Sequence, residues 1–389
     1  MTGTSQKAGS MRSLHGGRVY EAARRWNVDP AEVVDFSSNI NPLGPPQRVL
    51  AEIRNSSAPT ALRSYPDAHL FVTALAKKRD VMPDEIVVGS GVASLIFAVM
   101  HAVLPRRVAV LEPAFAEYAR ACAAVQATMT NWALKETDCF APDFAALTRG
   151  LNDGKLDLVI LNSPHNPSGR LYDPKDILSL VDAAERNNAT VVLDEAFIDY
   201  QPENSLLKLA ATKAHLIVLR SLTKFYAMPG LRVGYAVCGA DLAMAIALHI
   251  DPWSVSTIAL EAARATLEED EFEEQSREVN AAAREEFAVA LRKAGLQVYP
   301  SAANFLLAKL PHGCGAELAL WLELERILIR RCDSFGGLTD RHIRLAVRSG
   351  QENLRLAALI DIWLLETGQT DNEGLDQEEN PYERRHQTW

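Results

Sequence analysis

Along most of the chain, short unbroken runs of apolar residues alternate with stretches in which apolar positions recur every three or four residues. The runs Ile86–Val88, Val108–Leu111, Leu158–Leu161, Thr190–Leu193, Leu216–Leu219 and Val233–Val237 are predicted strands. Several are continuously apolar, as expected where helices cover both faces of a parallel sheet. The amphipathic stretches Val92–Leu104, Phe115–Ala124 and Pro174–Arg186 are predicted as the intervening helices. This βαβ alternation predicts an α/β fold, a three-layer α/β/α large domain around a mainly parallel sheet. From about Ser254 the pattern changes to a long charged helical stretch through Arg292. Short strands follow at Leu296–Val298, Asn304–Ala308, Ile327–Ile329 and His342–Leu345, then a helix at Gln351–Leu365, which together read as a smaller α+β domain. The expected organisation is a mobile arm over 1–13, an N-terminal segment over 14–45 serving the small domain and the active site, a large domain over 46–253, a small domain over 254–365, and a charge-dense disordered tail over 366–389.

Composition narrows the functional classes. The 389 residues carry a formal net charge of −10, which argues against a general nucleic-acid binder. The five cysteines are scattered without a C-x-x-C pair, so reduced thiols are expected and neither a disulfide framework nor a zinc site. No histidine stands at metal-ligand spacing. The first residues, MTGTSQKAGSMRS, lack the apolar core of a signal peptide, and no run approaches the ~20 apolar residues of a membrane span. The expectation is a cytoplasmic protein acting on a small molecule, with no nucleic-acid or membrane partner.

Four polar islands interrupt the apolar framework, each expected just past the carboxyl end of a strand, where open α/β sheets bind ligands. They are Asn162–Gly169 (NSPHNPSG), Leu193–Phe197 (LDEAF), Ser221–Lys224 (SLTK) and Gly230–Gly234 (GLRVG). Pyridoxal phosphate needs groups of these kinds: a lysine amine for its aldehyde, a carboxylate against its pyridine nitrogen, a donor at its ring hydroxyl and a cradle for its phosphate. Lys224 answers the first, Asp194 the second and Asn166 the third. Ser221, Thr223 and Arg232 offer hydroxyls and a guanidinium for the phosphate. The turn Gly89-Ser90-Gly91-Val92-Ala93 opens a helix whose N–H groups would face the same anion. Each island alone reads equally well as a cap, a turn or a solvated lysine. Their joint occurrence in this order carries the inference.

On these residues the chain resembles the fold-type I pyridoxal-phosphate enzymes, specifically the class I/II aminotransferase superfamily, from His15 to about Leu365. The resemblance implies Lys224 as the cofactor-bearing lysine, Asp194 as the pyridine-nitrogen partner and Arg232 as a phosphate ligand. It further implies Asn166 as the ring-hydroxyl donor and Phe115 as the ring-stacking aromatic. Tyr65, within Arg63-Ser64-Tyr65-Pro66-Asp67, matches a tyrosine that reaches the neighbouring subunit's phosphate, implying a homodimer. Within the superfamily, His15-Gly16-Gly17, Asp35–Pro46, Glu112–Tyr118, Asp194–Asp199, Arg220–Arg232, Pro252–Val255 and Ile327–Arg330 are similar to the threonine-phosphate decarboxylases of cobalamin biosynthesis. That resemblance assigns His15, Asn39, Arg330 and Arg348 to binding a small phosphorylated amino acid.

The alternatives are a histidinol-phosphate or related aminotransferase and, from another class, a non-catalytic pyridoxal-binding regulator. The regulator is disfavoured because only about a dozen residues precede His15, with no basic segment for DNA. Three departures from the family pattern stand out: Phe197 where a tyrosine is common, His165 for Asn or Thr, and Val92-Ala93-Ser94 in place of acidic and polar residues.

Overall fold

A computed structural model describes residues 15–59 and 61–370. The expected arm over 1–13 and the tail from residue 371 onward lie outside the described residues. Thirteen strands are present among them: β1 (Val34–Asp35), β2 (Ile86–Gly89), β3 (Arg107–Glu112), β4 (Thr128–Ala133), β5 (Leu158–Asn162), β6 (Thr190–Asp194), β7 (Leu216–Ser221), β8 (Gly234–Val237), β9 (Gln297–Val298), β10 (Phe305–Lys309), β11 (Ile327–Leu328), β12 (Arg330–Arg331) and β13 (His342–Ala346).

Strands β2 to β8 form one seven-stranded sheet in the order β2-β8-β7-β6-β5-β3-β4. From β7 to β4 every pairing is parallel, whereas β8 runs antiparallel to both β7 and β2. Successive residues of the central strands enter different cores. Leu158 and Ile160 join one apolar cluster and Val159 and Leu161 the other; Val108 and Val110 part from Ala109 and Leu111 in the same way. Helices Gly91–Val103, Ala116–Ala124 and Ala240–Ala247 cover one face, and helices such as His69–Arg79, Phe144–Asn152 and Pro174–Arg186 cover the other. Double-sided burial accounts for the unbroken apolar strands. The fold is the three-layer α/β/α architecture with a mainly parallel sheet.

The orientation of β8 alters one expectation. Gly230–Gly234 does not follow a strand; it leads into β8. Because β8 is reversed, its first residue sits beside Ser221, the last residue of β7. The island therefore reaches the same sheet edge by entering a strand there.

Beyond the sheet, the predicted helical stretch from Ser254 to Arg292 is two helices, Thr257–Thr266 and Asp270–Lys293. Ser256 caps the first by accepting from Ala259 N–H at 3.3 Å. Ala259, Leu260, Ala262 and Ala263 of that helix pack into the large-sheet core, so the first helix belongs to the large domain by packing. The second helix crosses between domains. Phe272 lies against the large core, whereas Phe287 and Leu291 lie in the small one with Leu306, Leu345 and Trp363. The helix Asp270–Lys293 thus contributes to both cores.

The small domain has a four-stranded sheet, β12-β13-β10-β9, and β1 of the N-terminal segment pairs in parallel with β11. Its last helix runs Gly350–Thr370, so residues 366–370 are helical and not the start of a tail. Anchoring explains the extension: Glu366 accepts from the Trp321 indole N–H at 3.1 Å, and Thr367 lies 3.2 Å from His312 Nε2.

His165 has a structural role in the loop after β5. It is buried, with Nε2 2.9 Å from the Pro113 carbonyl and Nδ1 2.7 Å from Ser168 Oγ. A carbonyl only accepts, so Nε2 carries the proton and Nδ1 receives the serine hydroxyl. Burial lowers the imidazole pKa to about 4. The folded state therefore binds this proton less readily than the unfolded chain, whose histidine titrates near 6.5. The resulting stabilisation is complete above pH 6.5 and is lost as pH falls toward 4. Urea unfolding at pH 7 and 4.5 should show the wild type losing roughly 2–3 kcal/mol more than His165→Leu between these values. Equal losses in the two proteins would rule out a neutral buried imidazole.

Candidate active site

The carboxyl ends of β5, β6 and β7 bring three of the islands together. Asn162 ends β5, Asp194 ends β6 and Ser221 ends β7. Asn162 ties the first two: its Nδ2 donates to Asp194 O at 2.9 Å, and its Oδ1 accepts from Asn166 N–H at 2.5 Å. Ser221 and Thr223 share a hydroxyl–hydroxyl bond of 2.8 Å, and Lys224 Nζ donates to Thr223 Oγ1 at 3.2 Å.

A cleft of about 650 Å³ opens over this edge. Lys224, Asn166, Arg232, Phe115 and Phe197 line it from the large domain, with His15 and Asn39 from the N-terminal segment and Arg330 and Arg344 from the small domain. Asp194, Ser221 and Thr223 are buried beneath it. Phe197 packs edge-on against Phe305, 5.0 Å between centroids. Asp194 Oδ2 accepts from Tyr118 OH at 2.7 Å and Oδ1 from Ala196 N–H at 2.9 Å. Burial pushes the Asp194 carboxyl up, while these donors and the Lys224 ammonium pull it back.

Lys224 is displaced the other way, its pKa lowered to about 8 by burial and by the nearby Arg232 and Arg344 guanidinium groups. Its amine thus remains mainly protonated at neutral pH but holds a far larger neutral, nucleophilic fraction than an ordinary lysine. Arg232 lies on Gly91, the first residue of the helix Gly91–Val103. Gly91 has φ +78°, and a Cβ there would stand 2.5 Å from Arg232 Nη2, so only glycine lets the guanidinium reach that helix N-terminus. Ser90 is the cap residue of the same helix and Val92 is buried in its first turn.

The N-terminal segment closes the remaining side. A Cβ on Gly16 would fall 2.2 Å from Ser37 O, so this glycine allows the chain to press against Ser37 and place His15 at the mouth. His15 Nε2 donates to Glu117 Oε1 at 3.0 Å, and its ring lies 5.6 Å from Phe115. Asn39 is buried with Oδ1 unpartnered, while its carbonyl accepts from Asn304 Nδ2 at 2.9 Å.

Of the turn Gly89–Ala93 only Ala93 lines the cleft, and Tyr65 and Arg348 are not brought to it. Tyr65 is 75% exposed and stacks on Trp253 with centroids 4.3 Å apart. Arg348 turns away: it donates to Asp35 O at 3.2 Å and to Glu352 Oε1 at 2.7 Å, in the first turn of the helix that follows. Arg344, not singled out from the sequence, occupies the cleft instead. Its Nη1 donates to Asn166 Oδ1 at 2.5 Å and its Nη2 to Ser37 O at 3.0 Å. It makes no ion pair among the described residues, its Nε is unpartnered, and burial lowers its pKa to about 10. The sequence signal for Arg344 was a lone cation inside the apolar strand β13. Tyr118 was likewise legible only as the residue one helical turn beyond Phe115.

An amine with a depressed pKa and a buried carboxylate at neighbouring strand ends of a mainly parallel sheet define a fold-type I pyridoxal-phosphate site. The profile of the family Aminotransferase class I and II matches residues 31–360. Threonine-phosphate decarboxylase of Salmonella typhimurium is 37% identical over 357 residues, covering 90% of this chain and 96% of that protein. The crystal structure of histidinol-phosphate aminotransferase from Clostridium acetobutylicum matches with a TM-score of 0.80 at 29% identity, covering 86% of this chain and 100% of that one. L-threonine-O-3-phosphate decarboxylase from Porphyromonas gingivalis matches at 0.76 and 27%, with the same coverage. The chain belongs to the class I and II aminotransferase family and is a pyridoxal-5'-phosphate-dependent enzyme.

The residues present fit that cofactor. Lys224 and Asp194 supply the amine and the carboxylate, Phe115 an aromatic face, and Asn166 a side-chain amide whose Nδ2 hydrogens are not taken up by Arg344. Arg232 at the Gly91 helix start, with the Ser221 and Thr223 hydroxyls, suits a phosphate. An amine-directed reagent applied to the cofactor-free protein should modify Lys224 half-maximally near pH 8, followed by peptide mass spectrometry. Arg344→Met should move that midpoint upward; a wild-type midpoint at the usual lysine value would contradict the electrostatics described.

Proposed function

We propose that this enzyme decarboxylates L-threonine O-3-phosphate to aminopropanol phosphate for cobalamin biosynthesis. The observation that carries the reading is the pair of guanidinium groups, Arg330 and Arg344, that line the same cleft as Lys224. A substrate bearing both a carboxylate and a phosphate supplies two anions for two forks. The buried Arg344 forms no salt bridge among the described residues, Asp35 acting on it only from a distance, and an anionic group of the substrate would neutralise it at closer range. The 37% identity to a threonine-phosphate decarboxylase over nearly the whole chain supports the same reading.

When bound, pyridoxal phosphate supplies the electron sink that allows a bond at the substrate α-carbon to break. The chain's residues select the bond. The bond that breaks must stand perpendicular to the cofactor ring, so the arginines that grip the substrate's anionic ends choose between carbon dioxide and a proton. Arg330 is held by Ser334 Oγ at 2.8 Å and lies over the Phe335 ring at 5.0 Å, while Arg344 is braced by Asn166 and Ser37. Both forks are thereby fixed before substrate arrives. Lys224 Nζ, with its lowered pKa, is suited to deliver a proton to the α-carbon position after carbon dioxide leaves. His15, oriented by Glu117, adds a polar contact at the mouth. The exposed Tyr65–Trp253 pair supports a homodimer in which Tyr65 reaches the partner's phosphate site.

The second reading is an aminotransferase for histidinol phosphate, favoured by the match to the Clostridium acetobutylicum structure. A product assay with L-threonine O-3-phosphate separates the two. Carbon dioxide release independent of 2-oxoglutarate is expected. Absence of release, with amino transfer from glutamate to imidazole-acetol phosphate, would establish the aminotransferase instead. In the decarboxylation assay Arg344→Ala should lower kcat/KM by about two to three orders of magnitude. Arg348→Ala, outside the cleft, should cost less than about tenfold. The reverse ranking would return Arg348 to the site.

A further inference from the structure

Tyr118 does not line the cleft, yet it touches two residues assigned to the cofactor ring. Its hydroxyl donates to Asp194 Oδ2 at 2.7 Å, and its ring meets Phe115 edge-on, with centroids 5.7 Å apart and planes at 85°. It is buried, so no bulk water competes for the carboxylate. Tyr118 and Ala196 N–H are the only donors to the Asp194 side chain among the described residues. One helical turn, from Phe115 to Tyr118, thus sets both an aromatic face of the cleft and the donor behind its carboxylate.

The carboxylate's problem is burial. An aspartate removed from water drifts toward its neutral form, and a neutral carboxyl cannot balance a protonated pyridine nitrogen. Hydrogen bonds donated to the ionised oxygens are the available remedy, and Tyr118 supplies the one side-chain donor. We propose that Tyr118 is a positioning residue that keeps Asp194 ionised and aligned, and so maintains the proton on the cofactor's ring nitrogen. The proposal rests on Asp194 as that nitrogen's partner and holds for either reaction considered above.

The test uses holoenzyme loaded with pyridoxal phosphate carrying ¹⁵N in the ring, whose chemical shift reports the nitrogen's protonation directly. Tyr118→Phe preserves the ring packing and removes the donor. At neutral pH the ring ¹⁵N resonance should move toward its unprotonated position, because the carboxyl that loses its donor becomes more basic and takes the proton from the nitrogen. Cofactor dissociation should become about ten- to a hundredfold easier. Incorporating 3-fluorotyrosine at position 118 strengthens the donor and should move the resonance at neutral pH toward its protonated position. An unmoved resonance in Tyr118→Phe refutes the proposal even if the protein melts at a lower temperature, since packing alone would produce that. Should Tyr118→Phe fail to fold, the fluorotyrosine protein decides, and an unmoved resonance refutes it. Asp194→Asn separates the premises. If that variant leaves the ring ¹⁵N resonance unmoved, the reading of Asp194 fails; if it moves the resonance and Tyr118→Phe does not, only the role of Tyr118 fails.

Discussion

The site depends on keeping one carboxylate charged inside the end of a parallel sheet. Asp194 terminates β6, a strand flanked on both sides, and an isolated ion there would cost several kcal/mol to bury. The backbone meets part of that demand. Asp194 O takes both Asn162 Nδ2 and Ser163 N–H, which fixes the strand end, and Ala196 N–H turns back onto the side chain. Tyr118 and the Lys224 ammonium complete the compensation. Because the same contacts that stabilise the charge also set its direction, the carboxylate is preorganised before any ligand arrives.

Around that single anion the cleft gathers cations. Lys224, Arg232, Arg330 and Arg344 all line it, against Asp35 and Glu117 as the lining acids. Glu117 is already engaged by His15 and Arg120. The surplus shows in the lowered pKa values of Lys224 and Arg344, each partly caused by a neighbouring cation. Such a surplus suits anionic ligands, and a cofactor phosphate together with the doubly anionic substrate proposed above would supply them. The reversed direction of β8 makes this crowding possible, because Arg232 enters a strand at the edge where Lys224 has just left one.

Much of this was readable without coordinates, for a physical reason. Strands buried on both faces are continuously apolar, so β2, β3 and β5–β8 stood out, and polar residues at their ends marked the ligand edge. The missed strand β4 is the sheet's outermost; its sequence TMTNWA mixes polar and apolar residues because much of it faces solvent. The arginines show the other limit. Arg348 follows a strand and resembles the other edge residues, yet a glutamate one turn away captures it. Arg344 lies inside β13, where pattern alone suggests a surface position; only the tertiary approach of Ser37 and Asn166 shows that it is buried and aimed inward. Sequence spacing reports which elements exist, but the direction of a long cationic side chain is decided by partners far along the chain.

That last point bears on how one scaffold can host different reactions. The groups suited to the cofactor come from the large domain, whereas Arg330 and Arg344 come from the small one and His15 and Asn39 from the N-terminal segment paired with it through β1 and β11. A single guanidinium, Arg344, bridges all three by bonding the large-domain Asn166 and the N-terminal Ser37 from a small-domain strand. On the proposed reading its position would couple the placement of a substrate anion to that of the cofactor ring. A change in domain packing of a fraction of an ångström would turn the substrate relative to that ring without disturbing Lys224 or Asp194. On this arrangement the choice of bond is a property of the interface between domains, and the cofactor residues, which sit wholly on one side of it, can stay constant while the chemistry changes.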